Sequence, residues 1–552
     1  MTHTANTAAT GEVVLTVKDL AVDFETEMGV VHAIEDVSFE LRRGEKLAIV
    51  GESGSGKSTT MNAVLGLMAG NGRIAQGEIR FNGRDLSRLG QRELQKIRGA
   101  EIGYIPQDPL SSLNPVLSIG DQLGEVMLVH GKATRRNVAE RSVAALEAAG
   151  LSDARARLKQ YPHEFSGGMR QRVLIGIGLS CDPQLLVADE PTSALDVTVQ
   201  RQILDHLDRM TESLGTSMIL ITHDLGLAAE RCERVIVMYR GRIVEQGDAR
   251  QILTDPQHEY TRRLVRAAPS VAASRAEAAG EPGGAHADAA AEGDDVLLRV
   301  ESLCKSFGRG AKRFDAVKDV SFTLPRARTL AIVGESGSGK STTARMVLRL
   351  DHPDTGRISF SGKNIASLSG RELKAARRRM QPVFQDPYSS INPMASVADV
   401  LMEPLNVHGV GTRKQRQQRA RDLLEMVSLP DGYLSRYSSE LSGGQRQRIA
   451  IARSLALHPE LIICDEPVSA LDVLVQAQIL DLLMELQREL GLSYLFISHD
   501  LAVVRLIADD VIVMRRGEIV EQGPTVALFD DPQHEYTRNL IDSIPGLGLG
   551  IG

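Results

Sequence analysis

Tryptophan is absent from this 552-residue sequence, and aromatic residues make up only 4% of it. Cysteine is also scarce: Cys181, Cys232, Cys304 and Cys464 lie far apart and form no CxxC pair. This spacing argues against a compact zinc or iron–sulfur motif and favours reduced thiols in the cytoplasm. Because the formal net charge is −7, the sequence also argues against a protein that mainly coats nucleic acid.

Long apolar runs are missing as well. No window approaches the ~18 consecutive apolar residues of a membrane helix, and the run at 173–181 is ended by Asp182. Residues 1–11 contain neither Lys nor Arg and no apolar stretch, so we expect no secretory signal peptide. If the protein serves a membrane, we therefore expect another chain to cross it.

The sequence nearly repeats itself. LAIVGESGSGKSTT occurs at 47–60 and again at 330–343, and DPQHEYTR occurs at 255–262 and at 531–538. Further paired stretches lie between these anchors, in the same order in both halves. The period is too long for a solenoid and indicates two homologous globular domains.

The segment between the repeats is rich in Ala, Gly, Glu and Asp and contains no aromatic residue. A Pro-Gly-Gly run at 282–284 would break a helix, so we expect a disordered or partly ordered linker rather than an Ala-rich helix. The sequence therefore predicts a first domain at 1–267, a linker at 268–295 and a second domain at 296–552.

The fold class follows from the pattern within each half. Short runs of Val, Ile and Leu end in motif loops, as in KLAIVGE, QLLVADE and SMILITHD. Such continuous apolar runs are typical of parallel strands buried on both faces. Segments with helical spacing follow them, as in Leu423, Met426 and Val427. Alternating strands and helices predict an α/β fold with crossover helices on the faces of the sheet.

The strongest chemical signal is GESGSGKST, which matches G-x-x-x-x-G-K-[ST] twice, each time after a strand-like run. Its glycines allow positive φ angles and a close approach of backbone N–H groups to phosphate oxygens. Lys57 and Lys340 would neutralise the β- and γ-phosphates, and Ser58 and Ser341 would ligate Mg²⁺. The predicted nucleotide contacts are Gly51, Ser53, Gly54, Gly56, Lys57, Ser58 and Thr59, and Gly334, Ser336, Gly337, Gly339, Lys340, Ser341 and Thr342.

Two pairs of adjacent acids end apolar strands: Asp189 with Glu190, and Asp465 with Glu466. Successive side chains at a strand tip diverge, so the two acids of a pair would take different roles. The aspartate would face the magnesium ion, and the glutamate would polarise the attacking water as general base or water-positioning group. The alternative is an acidic pair that simply faces solvent. The pair recurs downstream of both phosphate loops, and this repetition disfavours that alternative.

The stretches FSGGM at 165–169 and LSGGQ at 441–445 resemble the signature of the ATP-binding cassette (ABC) ATPases. The resemblance covers nearly the whole chain apart from the linker and the termini. It implies two tandem P-loop nucleotide-binding domains of the α/β class. Each would have a RecA-like parallel-sheet core, an antiparallel β subdomain and a helical subdomain.

The same resemblance assigns further residues. Gln107 and Gln385 resemble the glutamine that senses magnesium, the attacking water and the transmembrane partner. His223 and His499 resemble the histidine that contacts the γ-phosphate.

Phe24 and Phe307 resemble the aromatic residue that stacks on adenine in this family. Stacking needs a flat π surface, which Phe supplies, but core packing remains the alternative for each.

The family also implies a head-to-tail sandwich, which makes each site composite. One site would combine Lys57, Ser58, Asp189, Glu190 and His223 with Ser442, Gly443 and Gly444. The other would combine Lys340, Ser341, Asp465, Glu466 and His499 with Ser166, Gly167 and Gly168. We predict two hydrolysing sites, and Met169 in place of Gln445 would make them unequal without disabling either.

Several details resemble the ATPase subunits of dipeptide/oligopeptide importers: QDPxSSxNP, a Met-bearing signature before a Gln-bearing one, and DPQHEYTR near each domain's end. Such importers commonly use two different ATPase subunits, which this chain would fuse. Related subunits often hold an iron–sulfur cluster in a Cys-rich segment after this last motif. Because 263–295 and 539–552 contain no Cys, we expect no cluster.

The implied partners are two transmembrane permease chains and an extracytoplasmic peptide-binding lipoprotein, with the ATPase at the cytoplasmic face of the inner membrane. Permease contact would involve 108–164 and 386–440, and no direct contact with the peptide is expected. Dipeptides, longer peptides, glutathione-like molecules and nickel chelates remain open as solutes, in that order.

The competing class is a twin-cassette protein of translation or DNA repair. The zinc modules and the long charged arm that mark such proteins are absent from the sequence. Basic stretches such as 377–379 and 413–421 lie beside acids and are typical of solvated helix faces, so we expect no nucleic acid partner.

Overall fold

The computed structural model of the chain describes residues 11–27, 29–193, 195–268, 295–310, 313–469 and 471–546. These residues form two compact units, one containing 11–195 and 199–268 and the other containing 295–546. The predicted linker at 268–295 falls almost entirely outside the described residues.

The first unit contains two sheets. Its strands are β1 (Val13–Thr26), β2 (Gly29–Arg42), β3 (Lys46–Val50), β4 (Gly72–Phe81), β5 (Arg84–Asp85), β6 (Ile102–Ile105), β7 (Leu185–Asp189), β8 (Ser217–Thr222), β9 (Arg234–Tyr239) and β10 (Arg242–Asp248). A four-stranded antiparallel sheet has the order β2-β1-β4-β5, and a six-stranded sheet has the order β10-β9-β3-β8-β7-β6. All pairs of the larger sheet are parallel except β9 with β10.

Helices cover the larger sheet and build a helical part between β6 and β7. They are α1 (Lys57–Leu65), α2 (Gln91–Ile97), α3 (Pro109–Ser112), α4 (Ile119–Val129), α5 (Val138–Ala148), α6 (Ala154–Arg157), α7 (Gly167–Leu179), α8 (Val197–Leu214), α9 (Leu225–Arg231), α10 (Ala249–Thr254) and α11 (Glu259–Ala267). Side-chain caps fix several helix starts: the Ser118 hydroxyl, for example, accepts the Asp121 N–H at 3.2 Å.

The second unit repeats this topology. Its strands are β11 (Val296–Phe307), β12 (Phe314–Pro325), β13 (Thr329–Val333), β14 (Thr355–Phe360), β15 (Lys363–Asn364), β16 (Met380–Val383), β17 (Leu461–Asp465), β18 (Ser493–Ile497), β19 (Asp510–Arg515) and β20 (Glu518–Pro524). The sheet orders are β12-β11-β14-β15 and β16-β17-β18-β13-β19-β20. Only the pair β19 with β20 is antiparallel in the larger sheet.

The helices of the second unit occupy matching places. They are α12 (Lys340–Val347), α13 (Gly370–Arg379), α14 (Pro387–Ser390), α15 (Val397–His408), α16 (Arg413–Met426), α17 (Gly443–Leu455), α18 (Val473–Leu490), α19 (Leu501–Ile507), α20 (Thr525–Asp530) and α21 (Glu535–Ile541). Each unit therefore has the predicted α/β core, antiparallel β subdomain and helical subdomain, and the fold class is confirmed.

Burial explains why the central strands read as unbroken apolar runs. Every residue of β13 is buried, and in β3 only the first residue, Lys46, is partly exposed. Strands covered on both faces carry no polar alternation, unlike half-exposed antiparallel strands. In the first unit, one apolar cluster joins the antiparallel sheet, α1 and one face of the parallel sheet. Among the described residues, no helix combines the length and the apolar content that a membrane span requires.

The register of the parallel strands creates the functional edge. Asp189 at the end of β7 pairs with Ile221 in β8, and Val50 at the end of β3 pairs with Thr222. The carboxyl ends of three neighbouring strands thus meet at one edge, where ligands bind in open α/β sheets.

Candidate functional site

The loop between β3 and α1 carries the first copy of the glycine-rich motif. Gly51 has a φ of 154°, and a Cβ atom on it would lie 2.3 Å from the Met238 carbonyl oxygen and 2.7 Å from Ser55 Oγ. Only glycine fits there, because the neighbouring strand β9 presses directly on the loop. The loop is therefore held against the sheet at its first residue.

Lys57 begins α1 and turns back over this loop. It is 6% exposed, and its Nζ donates to the carbonyl oxygens of Gly51 at 2.7 Å and Glu52 at 2.8 Å. A buried ammonium at a helix start is a strong point of attraction for a phosphate group.

A hydroxyl and a carboxylate meet beside the lysine. Ser58 Oγ donates to Asp189 Oδ1 at 3.3 Å. Burial raises the pKa of Asp189 above its ordinary value, because the charged form is poorly solvated there. A bound cation would repay that cost, and hydroxyl and carboxylate oxygens are ligands that Mg²⁺ prefers. The residues present therefore fit a magnesium ion.

Glu190 occupies an unusual backbone conformation. Its φ is 44°, in the left-handed region that L-residues rarely adopt. Its N–H donates to the Ile221 carbonyl oxygen at 2.9 Å, and its carbonyl oxygen accepts the Ser193 hydroxyl at 3.1 Å. The neighbouring strand thus holds the residue in a strained geometry, which directs its side chain away from that of Asp189.

Two side chains then fix the Glu190 carboxylate. Gln107 Nε2 donates to Oε2 at 2.8 Å, and His223 Nδ1 lies 3.3 Å from Oε1. Burial alone would raise the pKa of Glu190, but the hydrogen bond and charge of His223, assisted by Lys57 and Gln107, lower it. Burial also opposes protonation of His223, yet the Glu190 carboxylate raises the pKa of this histidine.

The second unit reproduces the arrangement. Lys340 Nζ donates to the carbonyl oxygens of Gly334 at 2.7 Å and Glu335 at 2.9 Å, and burial lowers the pKa of this lysine. Ser341 Oγ donates to Asp465 Oδ1 at 3.0 Å. The matching contacts of Glu466 are Gln385 Nε2 at 2.8 Å and His499 Nδ1 at 3.1 Å. Its φ of 49° repeats the strain of Glu190.

We expect the His499→Gln variant to lose more thermal stability at about pH 6 than at about pH 9. The pKa of His499 is raised above 6.5 and that of Glu466 is lowered below 4.5, so the ion pair is fully formed between these values. Its contribution is lost as the pH rises through the raised pKa of His499, and also as the pH falls through the lowered pKa of Glu466.

Because the pair is partly exposed, the expected difference is about 0.5–1 kcal/mol, or about 1–3 °C in unfolding temperature. Calorimetric scans of the wild-type chain and the His499→Gln variant at both pH values measure this difference. The exposed His163, replaced by Gln, serves as the control substitution. An equal loss of stability at the two pH values for His499→Gln would contradict the ion pair.

The signature residues stand at the start of separate helices in the helical subdomains. Ser166 caps α7 and its Oγ accepts the Met169 N–H at 3.4 Å. Ser442 caps α17 in the same way, and Gln445 Oε1 also accepts the Ser442 N–H at 2.9 Å. Met169 has no oxygen for this return bond. The exchange of Met for Gln therefore changes how the helix start is held.

The two predicted adenine-stacking residues differ in their surroundings. Phe24 lies in β1 and is half-buried against the core of the first unit. Phe307 ends β11, is 37% exposed and lies with its ring centroid 5.9 Å from that of Phe314. Core packing thus takes part of the Phe24 surface, whereas Phe307 presents an aromatic pair at the surface.

Within each unit the structure thus gathers the loop lysine and serine, the acid pair, the glutamine and the histidine at one sheet edge. The predicted serines and threonines of the loops lie there too: Ser53 and Ser336 are exposed, and Thr59 and Thr342 are half-buried. Sequence reasoning missed Tyr260 and Tyr536, whose hydroxyls accept the N–H groups of Glu52 and Glu335. The repetition of the HEYT stretch was the signal that could have pointed to them.

Each of the two α/β units has a glycine-rich phosphate loop, a buried lysine and a pair of acids at the same sheet edge. These features define a P-loop ATPase with two tandem domains. Comparison with known proteins makes the class more specific. The model of the ABC transporter family matches residues 34–193 and 317–469. A model described as the oligopeptide/dipeptide transporter C-terminal region matches residues 244–293 and 520–550.

Similar curated proteins include the glutathione import ATP-binding protein GsiA of Salmonella choleraesuis, 44% identical over 96% of this chain and 89% of that protein. The protein of the same name from Escherichia coli (strain K12) is 43% identical over the same shares. Among solved structures, cbiO1 from Clostridium perfringens, part of an ABC transporter complex, is 31% identical with a TM-score of 0.40. The match covers 43% of this chain and 92% of the cbiO1 chain.

The chain belongs to the ABC transporter family, as an importer-type ATPase with two fused cassettes and a C-terminal oligopeptide/dipeptide transporter region after each. This confirms the family, the fold class and the ATPase activity predicted from the sequence. Cassettes of this family bind ATP.

Proposed function

We propose that this chain drives the import of short peptides through two transmembrane permease chains. The observation that carries the proposal is the complete set of lysine, serine, aspartate, glutamate and histidine in both units, in a chain similar over 96% of its length to import ATP-binding proteins. Two complete sites indicate that both cassettes hydrolyse ATP.

The site residues take the following roles. Lys57 and Lys340 bind the β- and γ-phosphates of ATP, and the loop glycines with Ser53, Thr59, Ser336 and Thr342 surround them. Ser58, Gln107 and Asp189, with their counterparts Ser341, Gln385 and Asp465, would hold Mg²⁺. When bound, this ion would neutralise charge on the phosphates. The proposal is supported by the Ser–Asp contact and by the raised pKa of each buried aspartate.

Hydrolysis follows from the glutamates. Glu190 and Glu466, with lowered pKa values, are ionised near neutral pH and can accept a proton from a water molecule. That water attacks the γ-phosphorus as the bond to the β-phosphate breaks, giving ADP and phosphate. His223 and His499 orient the glutamates and donate toward the γ-phosphate. Phe24 and Phe307 stack on the adenine.

Each site is completed by the signature of the other cassette in this proposal. Ser442, Gly443 and Gly444 would serve the site of Lys57, and Ser166, Gly167 and Gly168 would serve the site of Lys340. A signature glycine lets backbone approach a phosphate closely, and a capping serine hydroxyl can donate to it.

The permease contacts are proposed in the segments that follow Gln107 and Gln385. Each of these segments carries strongly exposed large side chains, which a permease surface could cover. In the first unit Val116 and Val129 are 75% and 72% exposed. In the second unit Met394 and Tyr388 are 83% and 62% exposed. Gln107 and Gln385, at the start of these segments, contact Glu190 and Glu466. Binding of a permease to the segments would therefore act directly on the proposed catalytic glutamates.

The solute is proposed to be a short peptide, with glutathione as the first candidate, since the similar curated proteins are glutathione import ATP-binding proteins. The ATPase would lie on the cytoplasmic face of the inner membrane, and an extracytoplasmic lipoprotein would select the peptide. Nickel chelates and other glutathione-like solutes are the alternatives within the same family.

A pull-down tests the assembly. The chain carrying Glu190→Gln and Glu466→Gln is held with ATP and isolated from membranes of its source cell, and every co-purifying chain is identified by mass. We expect two polytopic permeases and a binding lipoprotein. Recovery of ribosomes or DNA-repair factors instead would overturn the importer.

A further inference from the structure

The repeated stretch DPQHEYTR has no part in the ATPase chemistry described above, yet each copy is built into a closed network. In the first unit it spans 255–262 and leads from α10 into α11. Glu245 on β10 accepts the N–H groups of Gln257 at 2.7 Å and His258 at 2.9 Å. Burial alone would raise the pKa of Glu245, but these hydrogen bonds, led by that of Gln257, lower it.

The remaining side chains of the stretch close the turn. Arg262 donates to the carbonyl oxygens of Pro256 at 3.1 Å and Gln257 at 2.6 Å. His258 caps α11, because its Nδ1 accepts the Tyr260 N–H at 3.2 Å. These contacts hold the first turn of the helix, and therefore Tyr260, in one position.

Tyr260 reaches the phosphate-binding loop. Its hydroxyl oxygen accepts the backbone N–H of Glu52 at 3.0 Å, across 208 residues of sequence. The side chain is buried, with the residue 3% exposed, and its ring stacks on Tyr239 with centroids 4.2 Å apart. The carbonyl oxygen of the same Glu52 accepts from Lys57. One residue of backbone therefore separates the tyrosine hydroxyl from the phosphate-binding lysine.

The second unit repeats these hydrogen bonds with its own residues, although the side chain that packs over the Tyr536 ring is Arg515 and not a tyrosine. Glu521 accepts the N–H groups of Gln533 at 2.8 Å and His534 at 3.0 Å. His534 Nδ1 accepts the Tyr536 N–H at 3.0 Å, and the Tyr536 hydroxyl oxygen accepts the Glu335 N–H at 3.1 Å. The two segments that form this contact are identical in the two halves, and both units bring them together in the same way.

We propose that Tyr260 and Tyr536 are positioning residues for ATP binding, through which the C-terminal region of each cassette sets the phosphate loop of that same cassette. The hydroxyl fixes the second residue of the loop, and with it the carbonyl oxygen that orients the lysine. Loss of the hydroxyl removes the acceptor of a partly buried N–H group, so the loop shifts and the lysine loses its place. The proposal depends on ATP binding alone and goes beyond the importer function.

The test measures ATP binding by isothermal titration in the full chain, with one site silenced. In a Lys340→Ala background, Tyr260→Phe should raise the Kd of the remaining tight site about five- to tenfold, with the number of tight sites still one. Tyr536→Phe in that background should leave this Kd unchanged, and it should raise the Kd of the other site in a Lys57→Ala background.

Tyr239→Phe is the matched control, because it alters the same aromatic stack and not the bond to the loop. It should leave the Kd within twofold. A merely structural role would lower the number of folded sites and leave the Kd of each unchanged, and that result would overturn the proposal. So would an unchanged Kd in Tyr260→Phe.

Should Tyr260→Phe fail to fold, Glu245→Gln replaces it, since this variant disturbs the turn but keeps the tyrosine. It should raise the Kd at least twofold, and an unchanged Kd would overturn the proposal. Failure of the importer function would appear elsewhere, as missing permeases in the pull-down, and would not alter these titrations.

Discussion

A chain that carries Glu190→Gln and Glu466→Gln should bind ATP with nearly wild-type affinity and hydrolyse it at least about a hundredfold more slowly. The amide keeps the shape of the carboxylate and its contact with Gln107 or Gln385, but it cannot accept a proton from water. Lys57 and Lys340, which we propose bind the phosphates, are unchanged in this variant, so we expect the nucleotide to stay bound. Phosphate release and equilibrium ATP binding, measured on the same preparation, separate the two effects.

A control must remove the same two charges elsewhere. Glu147 and Glu425 lie on exposed helix surfaces of the two units, away from the acid pairs. Replacing both by Gln should leave turnover within about twofold, as is usual for surface substitutions. Unchanged turnover in the Glu190→Gln, Glu466→Gln chain would remove both glutamates from the catalytic role.

The second large effect concerns the lysines. Lys57→Ala and Lys340→Ala should each weaken ATP binding at one site by about ten- to hundredfold, the effect of losing a charged hydrogen bond to phosphate. Titration of the wild-type chain should show two tight sites and each variant one. The exposed Lys96 and Lys363, replaced by Ala, serve as controls in the two units.

The size of the two losses also tests the signature difference. If each site is composite, Lys57 works with the signature that contains Gln445, and Lys340 works with the one that contains Met169. Unequal losses would support a role for the extra helix-start bond of Gln445. Equal losses would make the Met–Gln difference irrelevant to nucleotide binding, and two tight sites in either variant would contradict the role of the lysine.

Short sequence patterns were enough to predict much of the fold and to propose many of the site residues. Apolar runs that end in glycine-rich or acidic loops indicated the buried parallel strands, and the structure brings Ser58 of the glycine-rich loop beside Asp189. The bond between Ser442 and Gln445 was not predicted, although a serine followed three residues later by glutamine is the pattern of a capping box. The strand runs and the capping box each lie within a few residues of chain, where local spacing determines geometry, whereas Ser58 and Asp189 are 131 residues apart.

Contacts between distant segments were out of reach of such patterns. Gln107 meets Glu190 across 83 residues, and the family resemblance assigned Gln107 to the site without predicting this contact. Tyr260 contacts Glu52 across 208 residues, and the local sequence of neither segment predicts that contact. Half-burial of Phe24 likewise depends on how the antiparallel sheet closes over α1, which is a property of the assembled unit.

The backbone of Glu190 and Glu466 has a further consequence. A left-handed φ costs an L-residue about 1 kcal/mol or more, and glycine carries no such cost. Glycine at these two positions would remove that strain, but it would also remove the contacts of the carboxylates with Gln107, His223, Gln385 and His499. Stability and activity are therefore linked at these two positions, so any engineering effort must screen for transport and for durability together.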